Sequence, residues 1–229
     1  MSLNKFTVFC AHRSGSNFLE QLIIQNFYDI DSFQGEVTKS RWKHAEYFSK
    51  YKDGVAFNCL IARHPIKWVN SCINFNADMW KWWGVDVDIT KKCEFCFEYK
   101  DRVISIPKMI TKWNRYYNNW LDNSDCYFVW YSDLLEEQAR TNIVNYFSEN
   151  YNLSRKTVQI AVPAKVQHSA VYTENKAINE KNVVIAPNLT ENQINYIYDN
   201  IDKRLIKKMS ESRQYENSGS IQWRASVVC

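Results

Sequence analysis

Two short stretches of the chain combine arginine, glycine and hydroxyl residues at spacings that suit the binding of an anion. Residues 6–19 read Phe-Thr-Val-Phe-Cys-Ala-His-Arg-Ser-Gly-Ser-Asn-Phe-Leu, and residues 59–74 read Cys-Leu-Ile-Ala-Arg-His-Pro-Ile-Lys-Trp-Val-Asn-Ser-Cys-Ile-Asn. In the first, Arg13 supplies a permanently charged, bidentate partner for a phosphoryl or sulfuryl oxygen. Gly15 lets the backbone approach a ligand closely or adopt a positive φ. Ser14 and Ser16 add hydroxyl donors. In the second, Arg63 and Ser71 stand eight residues apart on either side of a helix start. Together the two stretches can hold one ligand at two separate anionic groups.

Each stretch needs a strand to carry it and a helix to receive it. Phe6–Cys10 is an uncharged apolar run of the kind found inside a sheet. Ser14-Gly15-Ser16 interrupts it, and Asn17–Phe27 predicts a helix with Phe18, Leu19, Leu22, Ile23 and Phe27 on one face. A turn between strand and helix aims successive N–H groups at one point, where the helix dipole also favours negative charge. Val55–Ala62 predicts a second strand, and Pro65 suits the first turn of the helix that follows. Arg63 then lies at the carboxyl edge of a parallel sheet, the usual nucleotide side of such folds. The pattern G-x-x-x-x-G-K-[ST] is absent, which argues against a Walker-type NTPase. A plain serine-capped turn, with Arg63 in a surface ion pair, accounts for each stretch singly but not for their shared design.

The chain resembles the sulfotransferases that use 3′-phosphoadenosine-5′-phosphosulfate (PAPS). In that family a loop of the form [KR]-S-G-[TS]-x-[FWL] binds the 5′-phosphosulfate, and Arg13-Ser14-Gly15-Ser16-Asn17-Phe18 matches it. An arginine, a proline two residues later and a serine eight residues after the arginine bind the 3′-phosphate there, and Arg63, Pro65 and Ser71 reproduce that spacing. A weaker echo is Val129-Trp130-Tyr131-Ser132-Asp133-Leu134-Leu135, in which Trp130 and Ser132 replace the family's arginine and glutamate. The matches span roughly residues 5–150. The resemblance implies an α/β fold of three layers, a central and mainly parallel sheet flanked by helices, in a P-loop-NTPase-like sulfotransferase architecture. It further implies in-line transfer of a sulfuryl group from PAPS to an acceptor hydroxyl or amine, leaving 3′-phosphoadenosine-5′-phosphate (PAP). Loop amides, Arg13 and the Ser14 and Ser16 hydroxyls would stabilise the charge that develops.

The reaction also needs a base, and two residues compete for the role. Glu36 follows Gly35 in a segment similar to the glycine–glutamate stretch of some bacterial and carbohydrate-type members. His44, in Arg41-Trp42-Lys43-His44, is similar to the lysine–threonine–histidine stretch of cytosolic members, without the threonine. Histidine titrates near neutrality, whereas a glutamate needs burial to act as a base. The glycine-bounded, early-loop position favours Glu36. A PAP-binding protein of the same fold without catalysis and a small-molecule kinase are the alternative functions.

With 229 residues and 45% apolar content, the chain can bury one core and is expected to form a single domain over residues 1–229. No run approaches the roughly 20 apolar residues of a membrane span, and no signal-peptide pattern opens the chain. Seven cysteines, an odd number, read as reduced core residues of a cytoplasmic protein. The lone Cys93-x-x-Cys96 pair lacks the second pair that a structural zinc needs. A net charge of +4 suits an anionic cofactor but is no nucleic-acid signature. The expected partner is a small-molecule, carbohydrate or lipid acceptor, with Met79–Asp86 and its three tryptophans either walling that site or packing between helices.

Further along, Lys92–Leu121 predicts a helix broken near Pro107, and Asp125–Tyr131 a strand. Ser132 is expected to cap a helix reaching Tyr151. Thr190-Glu191-Asn192-Gln193 reads as a capping box opening one last helix to Met209. Residues 210–229 read as a loose tail.

Overall fold

The computed structural model describes residues 4–32, 44, 57–73, 84–87, 94–99, 102–123, 126–168, 171–174 and 189–212. In chain order these form β1 (Asn4–Cys10), α1 (Ser16–Asn26), β2 (Ile30–Ser32), β3 (Phe57–Ala62), α2 (Pro65–Ile73), β4 (Asp86–Val87), β5 (Cys96–Tyr99), β6 (Arg102–Ser105), α3 (Ile106–Asn123), β7 (Cys126–Trp130), α4 (Glu137–Asn150), β8 (Lys165–His168), β9 (Val171–Glu174), α5 (Glu191–Asn200) and α6 (Lys203–Glu211). A short 3-10 turn, Asp133–Leu135, joins β7 to α4.

The apolar strands read as continuous runs because both their faces are covered. β1 pairs in parallel with β2 and with β3, and β3 in parallel with β7, giving the order β2-β1-β3-β7. Phe6, Val8 and Cys10 on one face of β1 pack with Phe18 and Leu22 of α1 and with Phe147 of α4. Phe9 and Ala11 on the other face join Trp68 of α2, Trp113 and Trp120 of α3 and Met209 of α6. The fold is therefore an α/β arrangement of three layers, a four-stranded parallel sheet between two sets of helices. From β1 the chain steps outward to β2 and then returns across β1 to β3. The strand order thus reverses between β1 and β3, and the loops leaving their carboxyl ends diverge there to form a crevice.

Several local expectations are corrected. Residues 96–105 do not continue a helix: β5 and β6 form an antiparallel pair, extended by β4 on the other edge of β6. The register pairs Phe97 with Ile104 and Glu98 with Val103, and this cross-strand pairing outweighs the local helical pattern. Pro107 does not break α3. It is the second residue of that helix, where a missing N–H costs nothing. The Ser132 side chain makes no cap bond, and the 3-10 turn intervenes before α4 begins at Glu137. The capping box forms as expected, with Gln193 N donating to Thr190 Oγ1 at 3.3 Å and Thr190 N to Gln193 Oε1 at 3.0 Å. The expected last helix, however, is two. Asp202 Oδ1 accepts from the N–H groups of Arg204 (2.9 Å) and Leu205 (3.1 Å) and so starts α6 afresh. Cys10, Cys59, Cys72 and Cys96 are buried free thiols, and Cys126 is a half-buried one. Among the described residues no helix is long and apolar enough to cross a membrane. Glu36, Trp80, Trp82, Trp83, Cys93 and the tail beyond Ser212 lie outside the described residues.

Candidate functional site

The crevice between β1 and β3 receives both arginine-bearing loops. After Cys10 the chain turns through Ala11–Gly15 into α1, with Ser14 N donating to the Ala11 carbonyl at 3.3 Å. Two residues of this turn are left-handed, Arg13 at φ 66° and Gly15 at φ 93°. Gly15 occupies the position just before α1, and no side chain caps that helix. Its first N–H groups and the positive end of its dipole are therefore turned to the loop.

Gly15 is needed for a second reason. The ring of Tyr131, the first residue after β7, lies so close that a Cβ at position 15 would overlap it. Tyr131 extends the β3–β7 pairing by donating its N–H to the Ala62 carbonyl at 2.7 Å. The other face of the site is Arg63, whose guanidinium carbon sits 3.8 Å from the Tyr131 ring centroid. One aromatic ring thus touches the loop of one arginine and stacks on the other arginine.

The two cations sense one another. Burial first, and then the charge of Arg63, lower the proton affinity of Arg13, while Cys72 and Tyr131 act in the opposite sense. An arginine stays charged regardless, so the cost is carried as repulsion that an anion would relieve. Arg63 Nε is buried with no hydrogen-bond partner among the described residues. Burial also pushes the Cys72 thiol of α2 far up, against the pull of Arg13 and Arg63, so this thiol lies neutral beside both cations.

Sequence reasoning missed what holds the loop. Tyr117 of α3, fully buried, accepts from Ala11 N at 3.2 Å and donates to the Ile61 carbonyl at 2.9 Å. The Ser14 hydroxyl, 3.0 Å away, then donates to the same phenol oxygen. Burial pushes the Tyr117 phenol well above its ordinary value, which keeps its proton in place. One hydroxyl therefore clamps the end of β1, its loop and the end of β3. Trp68 of α2 adds a second clamp, Nε1 donating to the His12 carbonyl at 2.5 Å, and the Cys72 thiol a weaker one at 3.9 Å. Its helical spacing marks Tyr117 as a core residue and does not reveal what its hydroxyl holds.

The predicted residues divide accordingly. Arg13, Gly15 and Arg63 come together. Ser14 is fully buried, its hydroxyl 3.0 Å from the Tyr117 phenol oxygen. Ser16 and Asn17 open the first turn of α1. Phe18 belongs to the core between α1 and the sheet and serves as an anchor. Ser71 is half-buried on α2 beside Cys72. His44 lies at the end of β1, its Nδ1 2.7 Å from the Cys10 carbonyl and its ring 3.5 Å from that of His12. Glu36, its competitor for the base, is among the residues not described.

What the fold and site define is a class: a parallel α/β protein whose strand-order switch point carries two neighbouring arginines and an uncapped helix start. No protein-family model, no curated protein and no solved structure matches this chain.

Proposed function

We propose that this chain is a PAPS-dependent sulfotransferase of P-loop-like architecture, transferring a sulfuryl group to a hydroxyl or amine of a small-molecule, carbohydrate or lipid acceptor. The observation that carries this reading is the meeting of the Arg13–Gly15 loop and Arg63 in the β1/β3 crevice, with Arg63 Nε buried and unsatisfied among the described residues. PAPS and PAP fit such a site because they carry anionic groups at both the 5′ and 3′ positions. The loop amides, Arg13 and the start of α1 with Ser16 and Asn17 would hold the 5′ group, and Arg63 with Ser71 the 3′-phosphate. PAPS supplies an activated sulfuryl group, which moves when an acceptor oxygen or nitrogen bonds to sulfur and the bond to the 5′-phosphate breaks. The departing electron pair stays on that phosphate, whose charge Arg13 and the loop amides would stabilise. His44 is one candidate base, since Nδ1–H bonded to the Cys10 carbonyl leaves the lone pair on Nε2, and Glu36 is the other.

The test is a thermal-shift titration of wild type and Arg63→Ala with PAP, with ATP–magnesium and AMP as controls. PAP at 100 times its Kd adds about 2.7 kcal/mol of stability and raises Tm. Stabilisation by PAP, lost in Arg63→Ala, is the expected result. No response to PAP overturns the reading, and a response to ATP–magnesium instead makes the protein a kinase. Binding of PAP without turnover of PAPS on any acceptor marks a non-catalytic nucleotide-binding protein.

A further inference from the structure

The chain has four histidines, and two of them meet at the carboxyl end of β1. The rings of His12 and His44 lie 3.5 Å apart between centroids at an interplanar angle of 33°. His44 Nδ1 donates to the Cys10 carbonyl at 2.7 Å, with the Cys10 sulfur at 3.6 Å. The His12 backbone is held by Trp68 and Cys72, which donate to its carbonyl. One imidazole is thus held as the Nδ1–H tautomer, and the other stacks against it. Two imidazoles in contact oppose each other's protonation, so the second proton binds far more weakly than the first.

We infer that His12 and His44 form a one-proton pair in which His44 is the base and His12 its positioning residue. This rests on the sulfotransferase reading. The acceptor's proton passes to His44 Nε2 as the acceptor oxygen bonds to sulfur and the sulfur–phosphate oxygen bond breaks. Nothing is oxidised or reduced. His12 stays neutral and presents its ring face to the imidazolium. Among the described residues, the titratable or charged groups near the pair include Cys10 on β1, Arg13 next to His12 in the loop, Cys72 on α2, and Tyr116 and Tyr117, which couple to Cys10 from α3; Arg63 acts on Arg13. Arg13, the residue after His12, is a permanent cation coupled to Arg63, and it resists charging of the pair until an anion neutralises it. The pair is therefore a base that strengthens when PAPS or PAP is bound.

Nitrogen-15 NMR of the imidazoles in the full chain, titrated from about pH 4 to pH 9, tests this without an acceptor. With four histidines, single substitutions assign every ring. Wild type is expected to show His44 as the Nδ1–H tautomer and the pair titrating in two steps separated by more than about one pH unit. His12→Phe keeps a stacked ring that takes no proton, and His44 then titrates in one step with the same tautomer. An unchanged His44 curve in His12→Phe overturns the inference. So does an Nε2–H tautomer in wild type, or wild-type titrations that are independent. Added PAP is expected to raise the first midpoint. Two-step titration with no resonance moved by PAP keeps the pair and overturns the cofactor reading, so the two failures are distinguishable.

Discussion

Tyr117 shows how much one hydroxyl can organise. It accepts hydrogen bonds from the Ala11 N–H and from Ser14 and donates to the Ile61 carbonyl, all in a fully buried setting. Tyr117→Phe keeps the ring packing but strands those partners, at a cost of about 1–3 kcal/mol. Chemical denaturation should read that loss, and a PAP titration should show weaker binding because the loop that carries Arg13 is no longer clamped. Gly15→Ala is more severe. A side chain there must adopt a left-handed φ and displace Tyr131, which in turn supports Arg63. About 2 kcal/mol or more of stability should be lost, together with the PAP response, and Tyr131→Ala in the same chain should restore part of the stability. The glycine and the arginines were legible in the sequence as loop chemistry. The tyrosines that hold them were not, because a periodic aromatic on a helix reads as core whether or not its hydroxyl has work to do.

At the level of elements, each half of the site is a strand handing its loop to a helix. α2 begins where the His64 carbonyl accepts from Trp68 N at 2.7 Å, and the His64 ring meets the edge of Tyr198 on α5. Burial, and then the charge of Lys67, lower the His64 pKa to about 4. The unfolded chain binds a proton at about pH 6.5 that the folded chain refuses until about pH 4. Stability is therefore full above about pH 6.5 and falls as the pH drops through that window, by up to about 3 kcal/mol. His64→Phe should flatten this part of the pH profile in urea denaturation measured at about pH 7 and pH 4.5; an unchanged slope would refute the assignment. Strand β3 and helix α2 follow the sequence pattern closely. The hairpin of β5 and β6 does not, since its stability comes from cross-strand pairing that no window of the chain reveals.

Over the whole molecule, the sheet has a working edge and a structural one. The carboxyl ends of β1 and β3 carry the arginines. Nearer the amino ends, Thr7 and Asn58 are register partners on the face toward α3, and both have a buried side-chain oxygen with no hydrogen-bond partner among the described residues. Nothing in the proposed chemistry requires them. Thr7→Val, nearly isosteric, should leave PAP binding unchanged and raise stability by about 1 kcal/mol in chemical denaturation. A loss of PAP binding in that variant would mean that the amino half of the sheet communicates with the site. The helical layers on both faces keep the strands in place, so the two loops meet at one point although 50 residues separate Arg13 from Arg63.

What the sequence determined by itself is local: two strand–turn–helix units, the glycine that permits the tight turn, the two arginines and the capping box of α5. These follow from side-chain periodicity, φ preference and caps, all of which act within a few residues. The tertiary structure decided what each of those groups meets. It turned the Ser14 hydroxyl inward to a phenol 103 positions away, set Tyr131 between Gly15 and Arg63, and stacked His12 on His44. Such contacts depend on how the helical layers pack on the sheet, and packing is a property of the assembled core that no short segment carries.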